Sequence, residues 1–351
     1  MSFAQVVEGV AAHISCLFHV GNRYQATWRT TIDAMTTNET GIAAETAVQT
    51  VAEVAVRTVS LTKIYPNGRG IRDIKFTVQY GEVFGLLGPN GAGKTTTIRT
   101  LLDFLRPTSG QAFLLGVDAH ASPLARQRVG FLPGDLSLSI RATARDWLSF
   151  QAELRGGVDP GFVKSIATQV EADLDEPLRN LSSGNRQKIG IINALMHRPD
   201  LVILDEPTAG LDPLIRRRVY NLLSDVRERG GAVLLSSHVL PEVERICDRI
   251  AIIRRGELVE VDTMDQLKAK AVRHLEIVFD GQPPVERIKA VPGVVSATAE
   301  NSRVRVAVSG SIAALIRVLA QHEVVDLSSG SQALEDQFMS FYDGAEEEAQ
   351  E

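Results

Sequence analysis

Several things are scarce or missing in this chain, and each absence removes a class of function. It has two cysteines, Cys16 and Cys247, far apart in 351 residues. Two such residues make neither a metal-ligand pair nor a disulfide framework, and the expected state is a pair of reduced thiols in a cytosolic protein. No apolar stretch approaches the ~18 residues that a membrane-spanning helix needs. There is no long basic run, and the net charge is 37 − 43 = −6, which argues against a nucleic-acid surface. Lysine is rare beside arginine, a compositional bias without functional weight. No internal repeat is visible. The first 34 residues lack a basic segment followed by an apolar core, so no signal peptide is read there. Residues 1–50 are expected to be a leader that is poorly ordered or in part untranslated, with Met35 as an alternative start.

Against these absences stands one complete motif. Gly88-Pro89-Asn90-Gly91-Ala92-Gly93-Lys94-Thr95 fills every fixed position of G-x-x-x-x-G-K-[ST], a loop that wraps backbone N–H groups around phosphates. Val83 to Leu87 before it is an apolar run suited to a buried strand. After it, Ile98, Leu101, Leu102 and Leu105 recur at helical spacing, the pattern of an amphipathic helix. Strand, glycine loop and helix together put free N–H donors and the positive end of a helix dipole at one point. The expectation is a nucleoside triphosphate site.

The remaining pattern supports an α/β chain. Val54 to Ser60 alternates, and Ile74, Phe76 and Val78 read as one half-buried antiparallel strand. Ala112 to Val117 reads as a strand, and residues 122–178 as mostly helical. Strands at Leu201–Leu204, Ala232–Leu235 and Arg249–Ile253 alternate with helices near Pro213–Arg229 and Glu242–Asp248, which argues for a mostly parallel sheet covered on both faces. From residue 272 the order becomes β-α-β-β-α-β, the ferredoxin-like arrangement. A last helix carrying Leu334, Phe338 and Phe341, and a frayed acidic tail, are expected at the end. The division read from this is 1–50 leader, 51–270 nucleotide-binding domain, 271–343 accessory α+β domain and 344–351 tail.

Leu201-Val202-Ile203-Leu204-Asp205-Glu206 is a buried-strand run ending in two acids. A carboxylate at the end of such a strand reaches the metal of a phosphate site, and Mg²⁺ needs only that, a hydroxyl such as that of Thr95, and phosphate oxygens. Glu206 is then placed to deprotonate or orient a water. His238 follows the next strand and could donate a hydrogen bond to a terminal phosphate oxygen. Ser182 in Leu181-Ser182-Ser183-Gly184-Asn185-Arg186-Gln187 is a good N-cap for a helix running to about His197, and makes a second anion site.

In this order the segments resemble an ABC-type ATPase over about residues 55–265. Leu181 to Gln187 looks like that family's signature, Asp205-Glu206 like its Walker B strand with catalytic glutamate, Ala209-Gly210-Leu211-Asp212 like its D-loop, and His238 like its switch histidine. Tyr65 looks like the aromatic residue that stacks on adenine, and Thr96 joins the P-loop among the nucleotide-binding positions. The resemblance implies a P-loop NTPase (RecA-like) core, an antiparallel β subdomain and a helical subdomain carrying the signature. It also implies ATP and Mg²⁺ as ligands, with Lys94, Glu206 and His238 catalytic. Two subunits would close head to tail, Ser182 and Gly184 of one meeting the γ-phosphate bound by Lys94 of the other; a homodimer is the simplest assembly for a chain with one P-loop.

Two departures stand out. Ser183 and Asn185 replace the commoner Gly and Gln of the signature. Gly134, in Phe131-Leu132-Pro133-Gly134-Asp135, stands where the family places the Q-loop glutamine. The leading expectation is the ATPase subunit of a drug-type exporter, peripheral at the cytoplasmic side of the membrane and working with a separate permease. The tail Leu334-Glu335-Asp336-Gln337-Phe338 resembles that branch. The alternatives are a soluble ABC ATPase of translation or DNA repair and a nucleotide-binding regulator without turnover. Against the first stand the single P-loop and the short span from Lys94 to Ser182; against the second, retention of Glu206 and His238.

Overall fold

The computed structural model describes residues 54–136, 141–270 and 272–329. The leader, Cys16, the last helix and the tail expected from sequence lie outside these residues. The chain opens on an antiparallel layer: β1 (Val54–Ile64), β2 (Gly70–Ile74) and β3 (Thr77–Gln79). The strand expected through Ile74, Phe76 and Val78 is two strands. Phe76 donates its N–H to the Thr58 hydroxyl and accepts from the Thr58 N–H, so a side chain interrupts the ladder there. Next come β4 (Val83–Leu87), α1 (Lys94–Leu101), β5 (Ser109–Leu114) and β6 (Val117–Asp118). Here too one expected strand is a hairpin, because Leu115 and Gly116 both take positive φ, 51° and 79°, as a tight primed turn requires.

Strand β7 (Val129–Leu132) lies inside the stretch read as helical. It pairs in parallel with β8 (Leu201–Asp205), from Val129↔Leu201 to Leu132↔Leu204. The helices α2 (Ala144–Leu154), α3 (Pro160–Gln169) and α4 (Ser183–Leu195) come between them. Beyond β8 follow α5 (Pro213–Glu228), β9 (Ala232–Ser237), α6 (Leu240–Ile246), β10 (Arg249–Arg254), β11 (Glu257–Thr263) and α7 (Met264–Lys270). The central sheet runs β11-β10-β4-β9-β8-β7 and is parallel apart from the β10–β11 pair. Its inner strands β4, β8 and β9 are buried along their whole length, as parallel strands covered on both faces must be, while the antiparallel edge strand β11 is half-buried or exposed. Alternate residues enter separate apolar clusters: Val83, Leu87, Val202 and Leu204 on one face, Phe84, Leu86, Leu201 and Ile203 on the other.

The remaining described elements are β12 (Val272–Phe279), α8 (Val285–Lys289), β13 (Val294–Glu300), β14 (Arg303–Ser309), α9 (Ala313–Leu319) and β15 (Val324–Ser329). Their sheet order is β13-β14-β12-β15, antiparallel throughout. Leu275, Ile277, Val304 and Val306 form a separate core with Ile288, Leu315 and Leu319 of the two helices. Among the described residues no helix is long and apolar enough to cross a membrane.

One titrating group belongs to this scaffold. His197, just past α4, has its pKa pushed down to about 4, first by burial and then by the Arg155 guanidinium, with Asp200 opposing. Unfolded, it titrates near ~6.5. Between those values the unfolded chain takes up a proton that the folded chain refuses. Its contribution to stability is therefore complete above pH ~6.5 and is lost as pH falls toward 4. Denaturant midpoints across that window are expected to fall less steeply for His197→Gln than for wild type; equal slopes would exclude this histidine as the source.

Candidate active site

The chemistry-bearing residues gather at the C-terminal edge of the parallel strands, where open α/β sheets bind ligands. The P-loop leaves β4 and turns into α1. Gly88 is required by crowding, since a Cβ there would lie 2.3 Å from the Ile253 carbonyl oxygen. Gly93 takes φ +116° just before Lys94, a conformation that glycine adopts freely. The Lys94 ammonium is buried and donates to the Gly88 carbonyl at 2.7 Å and the Pro89 carbonyl at 3.1 Å. Glu206 Oε1 lies 3.1 Å from it. The other oxygen, Oε2, is 2.8 Å from His238 Nδ1. Lys94, Glu206 and His238 thus form one connected row, which the sequence offered as three separate residues.

Glu206 is held from its backbone outward. Its φ of 50° is left-handed, uncommon outside glycine and costly unless the surroundings enforce it. They do so here: its N–H donates to the Ser236 hydroxyl at 3.0 Å, and its carbonyl accepts from Gln187 Nε2 at 3.0 Å. Gln187 is buried in α4, so the signature helix and the Glu206 turn are tied directly. Ser236 also donates to Asp205 Oδ1 at 2.5 Å, leaving Oδ2 on the side of Gly134. A Cβ at Gly134 would come within 3.2 Å of that oxygen. The position expected for the missing glutamine therefore adjoins the Walker B carboxylate.

A cleft of 220 Å³ is lined by Tyr65, the P-loop residues Pro89, Asn90, Gly91, Gly93, Lys94 and Thr95, Thr96, and Glu206. Two further lining residues, Arg69 and Gly70, escaped the sequence reading. Tyr65 and Arg69 face each other at the end of the β1–β2 hairpin, with the Tyr65 N–H donating to the Arg69 carbonyl at 2.8 Å. The recognisable signal was the turn Pro66-Asn67-Gly68, which brings the residue after it beside the tyrosine. Gly88, Ala92, Asp205 and His238 are not among the residues that line the cleft.

Ser182 caps α4, its hydroxyl accepting from the Asn185 N–H at 3.2 Å. Ser182 and Gly184 do not line the cleft of their own chain. Gly184 instead abuts the loop after β8, where a Cβ would sit 2.7 Å from the Gly210 carbonyl oxygen. Asp212 caps α5, accepting from the Leu214 and Ile215 N–H groups at 3.0 Å each; those bonds hold its carboxyl below the usual range despite some desolvation. For a cation, the available donors are Asp205 Oδ2 and the Thr95 hydroxyl. Among the described residues there is no group of three or more His, Cys, Asp or Glu side chains placed for a metal. That set is too small for a resident ion and suits a Mg²⁺ that arrives with phosphate oxygens.

A glycine loop between a buried strand and a helix, with a carboxylate pair on a nearby strand of the same parallel sheet, defines a P-loop nucleotide-binding fold. The comparisons narrow this. The ABC transporter family model matches residues 71–209. The bacitracin transport ATP-binding protein BcrA of Bacillus licheniformis is 34% identical over 65% of this chain and 76% of its own length. The probable multidrug ABC transporter ATP-binding protein YbhF of Escherichia coli (strain K12) is 37% identical over 66% of this chain, and the match spans 41% of YbhF. A solved ATP-binding subunit of an ABC transporter shares the fold with a TM-score of 0.57 at 28% identity, over 61% of this chain and 92% of the other. The chain belongs to the family of ABC transporter ATP-binding proteins.

Proposed function

We propose that this chain binds and hydrolyses ATP as the energy-supplying subunit of an exporter of drugs or other small molecules, acting on a separate membrane permease. The observation that carries the reading is the connected row Lys94–Glu206–His238 beside an intact P-loop. The loop N–H groups and the Lys94 ammonium hold the β- and γ-phosphates through charge-assisted bonds. Tyr65 stacks on the base, and Arg69 lies beside it. Mg²⁺ bound by Thr95 and Asp205 would neutralise phosphate charge. Glu206 takes the proton of the attacking water, and His238 fixes the orientation of that carboxylate. An incoming phosphate shares Lys94 with Glu206, so nucleotide binding itself loosens the carboxylate for this task.

Ser182 and Gly184 do not line their own cleft, which supports a head-to-tail homodimer in which they complete the partner's site. The names of the relatives, multidrug and bacitracin transport, support an exporter. A place at the cytoplasmic face of the membrane follows from that role. Residues 51–270 serve as the ATPase domain and 271–343 as an accessory domain that steadies the dimer. The test is purification of the full chain from native membranes with ATP turnover measured. A co-purifying membrane protein that raises the turnover is the expected result. Active chain found only with soluble partners such as ribosomes would replace the transport reading with that of a soluble ABC ATPase.

A further inference from the structure

We infer that Glu242 is a positioning residue that ties the turn after Glu206, the D-loop and the switch histidine into one unit. This rests on the ATPase reading above. Glu242 lies in the first turn of α6 and does not line the nucleotide cleft. Its side chain is only 14% exposed, and its partners all come from site-forming segments. Oε2 accepts from the Thr208 hydroxyl at 2.6 Å and from the Ser237 hydroxyl at 3.4 Å. Oε1 accepts from Arg216 Nη1 at 3.1 Å. Arg216 in turn donates through Nε to the Leu211 carbonyl at 2.8 Å.

Each of those residues sits next to a working part. Thr208 is two residues past Glu206, Leu211 lies within the Ala209–Asp212 loop, and Ser237 precedes His238. A carboxylate taken out of water is costly unless its lone pairs are filled, and here donors from three segments fill them. A hydrophobic residue could close the same gap without that cost. What the charge adds is direction: the bonds fix how the three segments lie relative to one another, as a satisfied polar network does. The D-loop end of this network also touches Gly184 of the signature turn through Gly210. Pressure on the signature face by a partner subunit therefore moves the D-loop, and through Arg216 and Glu242 it re-aims Glu206 and His238. Assembly and hydrolysis are coupled through a residue that touches neither nucleotide nor water.

The test uses the full-length chain with Glu242→Gln and Thr208→Val, each measured for ATP turnover and for equilibrium ATP binding. Glutamine keeps the size but gives up the charge that holds Arg216; valine puts a methyl group of similar size in place of the Thr208 hydroxyl. Both variants are expected to lower kcat about 10- to 100-fold, as a small misplacement of catalytic groups does. Their ATP affinity is expected to stay at the wild-type value, since the cleft is untouched. Glu242→Asp, which retains the charge, recovers part of the lost rate. A kcat equal to wild type in both variants overturns the inference. So does a parallel loss of kcat and ATP affinity, which marks general loosening. Should Glu242→Gln fail to fold, Thr208→Val decides alone by the same criteria. A wild-type chain with no turnover would overturn the ATPase reading and this inference together; wild-type activity with unaltered variants overturns the coupling alone.

Discussion

Glu206→Gln is expected to lower ATP turnover by about 10²- to 10⁴-fold, the range by which a positioned acid–base group accelerates proton transfer. Glutamine reproduces the shape of the side chain and still reaches His238, but it cannot accept the water's proton. It also gives up the ion pair in which Glu206 Oε1 lies 3.1 Å from the Lys94 ammonium. ATP affinity is therefore retained or increased, because Lys94 no longer has to be shared. In the composite-site arrangement the variant accumulates as a dimer whenever ATP is present. Phosphate release and light scattering with and without ATP measure the two halves of this expectation. An unchanged turnover rate would remove Glu206 from the mechanism, and a variant that stays monomeric with ATP would remove the dimer.

Lys94→Met is expected to be equally damaging for a different reason. The ammonium is buried, with two carbonyl oxygens and one carboxylate around it. Methionine fills similar volume and supplies no charge. Loss of a charge-assisted bond to phosphate weakens ATP binding by about 10- to 100-fold. Loss of its electrostatic aid to the developing charge lowers turnover by a further ~10²- to 10³-fold. The substitution also strands the Glu206 carboxylate without its cation, so the two positions are coupled. Adding Glu206→Gln to Lys94→Met is expected to recover part of the lost affinity, since the stranded charge disappears. Titration with a fluorescent ATP analogue measures this; a double variant whose change in affinity equals the sum of the two single changes would show that the two groups act independently.

Much of this site was legible in the residue order because each part is a short contiguous run. The P-loop octet, the apolar strand ending in Asp205-Glu206, and the Ser182 cap each specify their own local backbone. What escaped was of two kinds. Strand β7 is only four residues long and is followed by three helices, so nothing in its own periodicity separates it from a turn of helix; its pairing with β8 decides it. Ser236 and Glu242 carry no local signature at all, and Arg69 is marked only by the turn that precedes it. Ser236 matters because its hydroxyl bridges to Asp205 across 31 positions of chain, and Glu242 because donors converge on it from Thr208, Arg216 and Ser237. Gly134 was noticed only as a departure from a pattern; its placement against Asp205 Oδ2 came from the packing.

The order of residues by itself determined the local pieces: a glycine loop between strand and helix, an apolar strand that ends in an acid, and a serine that caps a helix. These are consequences of local sterics and hydrogen bonding within a few residues. Only the tertiary structure decided which of these parts touch. Parallel crossovers bring the ends of β4, β8 and β9 to one edge of the sheet, and there Lys94, Glu206 and His238 meet at hydrogen-bonding distance. The bent backbone of Glu206, held between Ser236 and Gln187, belongs to the same level, because bonds from two distant segments make a strained conformation the stable one.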